Sequence, residues 1–191
     1  SYLVEKMRAD KSLREILQMV ALMPMAIPGI VLGLAYIFFF NAKDNPLNFI
    51  YATMAILVIN TVVHFYTVSH LSAVTAVKKL DQEFESVSLS LKVPIYKMFF
   101  KITLPVCLPT VFDIFIYLFC NAMTTVSGVI FLYSYDTTLA SVSAIHLDEQ
   151  GDVAGAAAMA MLIVYISFLV RGIHTIVSTL LLKRTQAWRN I

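Results

Sequence analysis

Two groups of polar side chains interrupt long apolar stretches of this sequence at helical spacing. Asn60, His64 and Thr67 follow one another at intervals of three or four residues, so they share one face of a helix. A second group, with the same kind of spacing, consists of Asn121, Thr124 and Thr125. Polar groups in lipid are unfavourable unless they meet protein or water, so these faces predict a translocation path. Their neutral donors, and His64 if protonated, suit an anionic or zwitterionic solute; hydrogen bonding between helices is the alternative.

The polar groups lie in segments long enough to cross a membrane. Of the 191 residues, 59% are hydrophobic and only 14% are charged, whereas a soluble domain carries about 25% charged residues. A membrane helix needs roughly 20 mostly apolar residues, and the segments 16–40, 49–71, 109–133 and 153–182 meet this requirement. The sequence therefore predicts an all-α membrane protein, with residues 1–191 forming a single transmembrane domain. The net charge of +2 gives no indication of nucleic-acid binding.

The distribution of basic residues predicts the orientation of these segments. Lysines and arginines precede the first segment, lie between the second and third, and follow the fourth. The other two connections carry Lys43 against several acidic residues. Because basic connections stay on the cytoplasmic side, both ends of the chain and the segment 72–104 are expected to face the cytoplasm.

The segment 72–104 has an apolar stripe of its own. Apolar residues recur every three or four positions, at Val74, Val77, Leu80, Phe84, Val87 and Leu91, and Pro94 then ends the pattern. Such an amphipathic helix between membrane spans suits either a docking element for a soluble partner or a helix that rests on lipid headgroups. Periodicity alone leaves both interpretations open.

The end of this segment resembles the cytoplasmic loop of permease subunits in bacterial ABC importers. That loop has an acidic residue, small residues, a glycine and then Ile-x-Leu-Pro. Ile102, Leu104 and Pro105 match its last part, Glu85 lies one place from the expected acidic position, and Lys92 stands where the glycine is expected. With this resemblance and the order of the spans, docking is favoured over lipid contact.

Further stretches extend the resemblance over nearly the whole chain. Residues 21–36 resemble the first core span of the branch that includes iron(III) and phosphonate permeases. Residues 64–70, 104–109, 121–127, 137–141 and 185–188 are most similar to 2-aminoethylphosphonate permeases. Family members often contain two fused halves, and this chain resembles the C-terminal half, so we expect it to be a fragment.

The resemblance implies a type I ABC importer permease-like helix bundle with a cytoplasmic coupling helix, in the bacterial inner membrane. The residues that it implies for coupling to the ATPase are Phe84, Glu85, Val87, Leu91, Lys92, Pro94, Ile102, Leu104 and Pro105. The implied partners are a cytoplasmic ATPase subunit that binds ATP and Mg²⁺, a periplasmic solute-binding protein, a second permease half or subunit, and membrane lipid. The implied cargo is 2-aminoethylphosphonate or a related phosphonate, with iron(III), a polyamine or another small solute as alternatives.

Other classes of protein lack their signatures in this sequence. There is no glycine-rich phosphate loop followed by Lys-Ser/Thr, so we expect no ATPase site, no bound cofactor and no enzymatic activity in this chain. The four histidines are dispersed and no Cys/His spacing predicts a metal site. A secondary transporter driven by an ion gradient is the remaining alternative, and that class typically uses an intramembrane carboxylate.

Asp113 is the only acidic residue in the apolar segments that suits this role, and the predicted span places it near the cytoplasmic end. There we expect an ion pair with Lys97, Lys101 or a partner chain. Arg171 and His174, which share a helical face, are expected to reach the interface by snorkelling. Pro28 removes a backbone donor and is expected to kink the first span.

Overall fold

The computed structural model describes residues 11–80 and 83–185, and every regular element in these ranges is a helix. The helices are α1 (Lys11–Ala26), α2 (Gly29–Phe40), α3 (Met54–His64), α4 (Tyr66–Lys78), α5 (Glu83–Ser90), α6 (Ile95–Met98), α7 (Leu104–Thr124), α8 (Ala140–Glu149) and α9 (Val153–Thr185). A π-helical turn, Phe99–Thr103, joins α6 to α7. Of the basic residues near the chain ends, Lys6, Arg8 and Arg189 lie outside these ranges, and of Glu85 only the backbone is described.

The first two predicted spans are each broken into two helices. α1 and α2 meet at an angle of 101°, at the position where Pro28 lacks the N–H that would continue the helix. The predicted kink is therefore confirmed. α3 and α4 meet at 57° around Phe65, a break for which the sequence contains no proline. The second helix pair also begins later and ends later than the predicted segment 49–71, because the buried Val74 and Val77 extend the helical packing to Lys78.

The third apolar segment differs most from the predicted boundaries 109–133. Its helix runs without a large bend from Ile95 to Thr124, passing through Pro105 and Pro109. Residues 126–133 are apolar because they pack in a core and not because they span a membrane. They form turns, and the side chains of Val129 and Leu132 are buried in that core. The coupling segment is correspondingly shorter than 72–104, because α4 and α6 contribute its two ends.

The fourth apolar segment folds nearly as predicted, as the long helix α9. By length and composition, Ile95–Thr124 and Val153–Leu180 are long and apolar enough to cross a membrane. Counting each bent pair as one span raises the number to four among the described residues, which equals the number of predicted segments.

A small hydrophobic core closes one end of the bundle, and we call this the closed end. Ile56, Leu57, Val129, Leu132 and Val142 are buried there. The loop after α2 is tied down by amide side chains, since Asn48 donates to the Phe40 carbonyl at 2.9 Å and so satisfies one of the free carbonyls of the helix end. The opposite end, which carries α5, is called the open end below.

Candidate functional site

The single apolar stripe predicted from Val74 to Leu91 is divided between two helices, since Val74 and Val77 are buried in α4. The second half of the stripe is carried by α5, whose apolar side chains remain uncovered. Val87 is 56% exposed and Leu91, just beyond the helix, is 70% exposed, while Phe84 is half-buried. Together with Val93 and Ile102 these side chains line a cavity of about 410 Å³ between α5 and the helix that follows. We call this surface the α5 groove. Four of the predicted coupling residues therefore share one surface.

The remaining coupling residues are placed differently by the structure. Pro94 precedes α6 in an extended conformation and directs the chain into the long helix. Leu104 and Pro105 are half-buried in the first turn of α7. Leu104 lines a second cavity, of about 520 Å³, which the α4 residues Ala73 and Ala76 also line. The Ile-x-Leu-Pro sequence thus contributes Ile102 to the α5 groove, whereas Leu104 belongs to the contact between α4 and α7.

Lys92 occupies the backbone position that ends α5. Its φ of 54° is in the left-handed region, and the N–H of Val93 donates to the Ser88 carbonyl at 2.9 Å. This is the hydrogen bond of a Schellman motif, in which the residue at the Lys92 position is usually glycine because it lacks a Cβ. The glycine of the resembling loops therefore has a conformational explanation, and Lys92 adopts the same conformation with a side chain.

The first group of predicted path residues lies inside helix contacts. Asn60 and Thr67 are each 1% exposed. The Asn60 Nδ2 donates to the Gly128 carbonyl at 2.9 Å, and the Thr67 hydroxyl donates to the Ala21 carbonyl at 3.0 Å. Both side chains thus bond to distant backbone, as the alternative of hydrogen bonding between helices requires. His64 is half-buried beside the Phe65 ring, with a centroid distance of 4.7 Å.

Glycines allow this junction to pack closely. A Cβ on Gly33 would lie 2.7 Å from the Gly128 carbonyl oxygen, and a Cβ on Gly29 would lie 2.6 Å from the Ser127 hydroxyl. Both contacts are shorter than real Cβ atoms show. At Gly33 the close atom belongs to the backbone, so α2 can approach the turn at Gly128 only without a side chain there, whereas at Gly29 the Ser127 hydroxyl is free to rotate. The four-residue spacing of Gly29 and Gly33 is the sequence signal that predicts such a contact.

The second group of predicted path residues lies at the end of α7. Asn121 Nδ2 donates to the Tyr117 carbonyl at 2.7 Å, and the Thr124 hydroxyl donates to the Cys120 carbonyl at 3.1 Å. Both bonds stay within α7. Thr125 is the first extended residue after the helix, and its carbonyl accepts a hydrogen bond of 2.9 Å from Ser141.

Comparison with known proteins assigns this chain to a family. The sequence profile of the family described as "Binding-protein-dependent transport system inner membrane component" matches residues 1–183. The chain belongs to this family. It is also 30% identical over 159 residues to the ferric transport system permease protein FbpB of Actinobacillus pleuropneumoniae. That match covers 83% of this permease chain and 23% of the relative, so the chain spans less than a quarter of the relative's length.

Solved structures share the fold of this permease chain. A bacterial ABC transporter involved in the import of the acidic polysaccharide alginate superposes with a TM-score of 0.72 at 14% identity, over 93% of this chain and 69% of that chain. The alginate transporter in complex with an alginate pentasaccharide-bound periplasmic protein gives a TM-score of 0.69 at 14% identity, over 90% and 67% of the two chains. The predicted fold class, a bundle of the ABC importer permease type, is confirmed.

Asp113 of the permease has a partner that the sequence did not suggest. Its Oδ1 lies 3.0 Å from the Nε2 of His174, whereas Lys97, Lys101 or a partner chain was expected. The expected pairs with Lys97 and Lys101 are wrong, because the helix begins at Ile95 and Asp113 lies in its middle part, far from both lysines. Pairing with a partner chain stays a prediction. His174 consequently faces α7, so its predicted snorkelling is also wrong.

The closed end of the permease holds polar contacts that sequence reasoning did not find. The Ser134 hydroxyl donates to the Ala52 carbonyl at 3.1 Å and links the two loops of this end. The Tyr133 hydroxyl and the His146 Nε2 lie 2.7 Å apart, which joins the turns after α7 to α8. Among the described residues, no three His, Cys, Asp or Glu side chains come together in a way that would hold a metal ion.

Proposed function

We propose that this chain is the membrane-spanning part of a permease subunit in an ATP-driven importer that receives its solute from a periplasmic binding protein. The observation that carries this proposal is the α5 groove, an apolar surface presented by a short helix between the bent pair α3–α4 and the long apolar helix that begins at Ile95. A group of exposed apolar side chains on a helical surface commonly forms the binding site for a protein partner. Membership of the binding-protein-dependent family supports the same conclusion.

The partner at the α5 groove is, in this proposal, a cytoplasmic ATPase subunit that binds ATP and Mg²⁺. Lys78, Lys79, Lys92, Lys97 and Lys101 surround the open end, while Asp44, Asp136, Asp148, Glu149 and Asp152 lie in the connections of the closed end. This asymmetry supports an open end on the cytoplasmic side of the inner membrane. The ATPase would bind α5, and its rigid-body movement would be transmitted through α4 and α6 to the helices in lipid.

The closed end would receive a periplasmic solute-binding protein. The structure of the alginate transporter in complex with an alginate pentasaccharide-bound periplasmic protein supports such a partner. In this proposal the importer also contains a second permease half or subunit. The match to less than a quarter of FbpB supports a longer protein, with the present chain as one part of it.

The cargo that the comparisons favour is iron(III), because the named relative is a ferric transport permease. The resemblance of several short segments to 2-aminoethylphosphonate permeases makes that phosphonate the competing cargo. Titrating the cognate periplasmic protein with each compound separates the two. We expect submicromolar binding of iron(III), and binding of the phosphonate alone would contradict this choice of cargo.

Co-purification of the ATPase tests the main proposal. In the full-length protein, Leu91→Glu places a charge in the α5 groove and is expected to abolish recovery of the ATPase subunit. The matched control is Tyr135→Glu, which adds the same charge at a highly exposed aromatic position of the closed end and is expected to leave recovery unchanged. Equal recovery with both variants would refute docking at α5.

An ion-gradient-driven transporter is the second candidate, and Asp113 is the observation that favours it, because the structure places this carboxylate in the middle part of a membrane-type helix. Uptake into proteoliposomes distinguishes the two mechanisms. Uptake by the importer is expected to require ATP on the side of the membrane where the ATPase lies, and to continue when ionophores remove the ion gradient. Uptake by a gradient-driven transporter is expected to require the ion gradient and no ATP.

A further inference from the structure

The position of Asp113 is unusual for a carboxylate. Along α7 it lies roughly 16 Å from Thr124 and roughly 14 Å from Leu104, at 1.5 Å per residue. It is therefore near the middle of a helix that is long and apolar enough to span a membrane. The side chain is nevertheless 57% exposed, while its partner His174 is 17% exposed. A carboxylate at this depth and this open to its surroundings cannot face hydrocarbon at low cost.

The contact with His174 satisfies the carboxylate only in part. The Nε2 and Oδ1 atoms are 3.0 Å apart, close enough for an ion pair when the imidazole is protonated. Their relative orientation does not complete a hydrogen bond. Most of the carboxylate surface is still open, and the pair therefore has room for a third group.

Asp113 is one member of a polar stripe along α7. At intervals of three or four residues the stripe contains Thr110, Asp113, Tyr117, Asn121 and Thr124. The opposite face of the same helix carries Val111 and Phe115, which are exposed and apolar as lipid contact requires. Asn121 and Thr124 donate to carbonyls of their own helix, so these donors do not serve to bind a neighbouring helix.

The helix α9, which packs against α7, has a polar stripe of its own. Its members, again three or four residues apart, are Ser167, Arg171, His174 and Ser178. The Ser167 hydroxyl is buried and has no hydrogen-bond partner among the described residues. The two stripes meet at Asp113 and His174. We call them together the polar seam.

We propose that the polar seam lines the translocation path of the assembled importer, and that Asp113 with His174 is a transient binding station for a cationic cargo. This inference rests on the proposed transport function and identifies where the solute passes. A carboxylate and an imidazole are both ligands for iron(III), the first being a hard oxygen donor. Two protein ligands hold a cation weakly, and conduction requires binding that is weak enough for release.

The seam also differs from the path that spacing alone predicted. Asn60 and Thr67 are enclosed by hydrogen bonds to distant backbone, whereas Asn121 and Thr124 lie on the stripe of α7. The seam thus includes Asn121 and Thr124 of the second predicted group and adds Asp113, whereas Asn60 and Thr67 of the first group serve helix packing.

Cysteine labelling of the full-length importer, assembled with its ATPase in proteoliposomes, tests the seam. The background replaces Cys107 and Cys120 by serine, since both lie in α7 as free thiols. Asp113→Cys, Thr110→Cys and Asn121→Cys probe the stripe, and Phe115→Cys probes the opposite face of the same helix. The reagent is a membrane-impermeant, cationic methanethiosulfonate, which reacts with thiolates and therefore needs water at the thiol.

We expect the stripe cysteines to react about tenfold faster or more than Phe115→Cys, because thiolates form in water and not in lipid. Three stripe positions are used so that one poorly folding variant does not decide the result. Slow labelling at all folded stripe positions, equal to that of Phe115→Cys, would mean a dry seam covered by a second permease half, and would overturn the proposal.

Two readouts separate this inference from the proposed function. A change in the labelling rate of Asn121→Cys on adding ATP tests coupling to the ATPase, while the rate itself tests the seam. Asp113→Asn is expected to lower iron(III) uptake about tenfold or more with ATPase co-purification retained, and Asp113→Glu to restore most of the uptake. Loss of uptake that Asp113→Glu does not restore, together with slow labelling, would assign the pair a packing role only.

Discussion

The two ends of this bundle differ in how completely the chain covers its own apolar surface. At the closed end, Ile56, Val129 and Leu132 are buried in a core, and a hydrogen bond from Ser134 joins the two loops. At the open end, Val87 and Leu91 face outward and line the α5 groove. One end is therefore covered by contacts within the chain, whereas the other leaves apolar surface exposed, and in the proposed function the ATPase subunit covers that surface.

The difference also concerns charge. Carboxylates predominate in the connections at the closed end and lysines at the open end. The closed end is acidic and covers its own apolar surface, which suits an end that only receives a solute. The open end is basic and leaves apolar surface exposed, which suits an end that a partner protein must move. The predictions below test whether the two ends really differ in this way.

The largest expected effect comes from truncating one apolar side chain at each end. Ile56→Ala removes a fully buried side chain from the closed-end core and is expected to lower the free energy of unfolding by about 3 kcal/mol. Leu91→Ala removes a side chain that is already exposed, so we expect a change within about 0.5 kcal/mol. Unfolding titrations of the purified protein in detergent measure both. Equal losses would show that the α5 groove is part of the chain's own core.

A glycine substitution sharpens the same comparison. In Gly33→Ala the new Cβ meets the Gly128 backbone carbonyl at 2.7 Å, and neither group is flexible, so we expect a loss of about 2 kcal/mol. The control is Gly172→Ala in α9, where a Cβ meets nothing within 4 Å and the gain in helix propensity is up to about 1 kcal/mol. Thermal unfolding of the two variants is expected to shift in opposite directions. A neutral Gly33→Ala would show that α2 is not held at Gly128.

Removing a side-chain hydrogen bond is expected to cost more stability at the closed end than at the open end. Asn60→Ala leaves the buried Gly128 carbonyl without its side-chain donor, at an expected cost of about 1–3 kcal/mol. Ser90→Ala removes a bond of equal length, 2.9 Å, to the Ser86 carbonyl in exposed α5, where water replaces it, and the change is expected to stay within about 0.5 kcal/mol. The same unfolding titrations check this pair. A larger loss for Ser90→Ala would reverse the proposed contrast.

Hydropathy predicted the fold class because membrane helices are defined by composition over a length of roughly 20 residues. It did not predict where helices end. The run 126–133 is as apolar as a span, yet it forms core turns around Val129, and only the tertiary contacts with α3 and α8 reveal this. The break at Phe65 has no local signal, whereas the break at Pro28 follows from a missing N–H.

The candidate site was predictable to the extent that it depends on local periodicity. The α5 face repeats every three or four residues, so Phe84, Val87 and Leu91 were identified from the sequence and lie together. The Asp113–His174 pair joins residues from two helices that are far apart in the chain. No spacing rule connects them, because the register between α7 and α9 is set by side-chain packing along both helices.

The smallest effect is expected from the residue that ends α5, and it tests whether the open end is shaped by backbone conformation or by charge. Lys92 has a φ of 54°, which an L-residue with a Cβ adopts at a cost of about 1 kcal/mol. Lys92→Gly is therefore expected to slow amide hydrogen exchange at Val93 about fivefold, since its Schellman hydrogen bond to the Ser88 carbonyl forms more often. Lys92→Ala keeps the Cβ and is expected to give no such protection. Both variants remove the ammonium group, so equal weakening of ATPase binding by the two would show that the charge serves docking. Slower amide exchange in Lys92→Ala as well would show that relief of the left-handed conformation does not cause the protection.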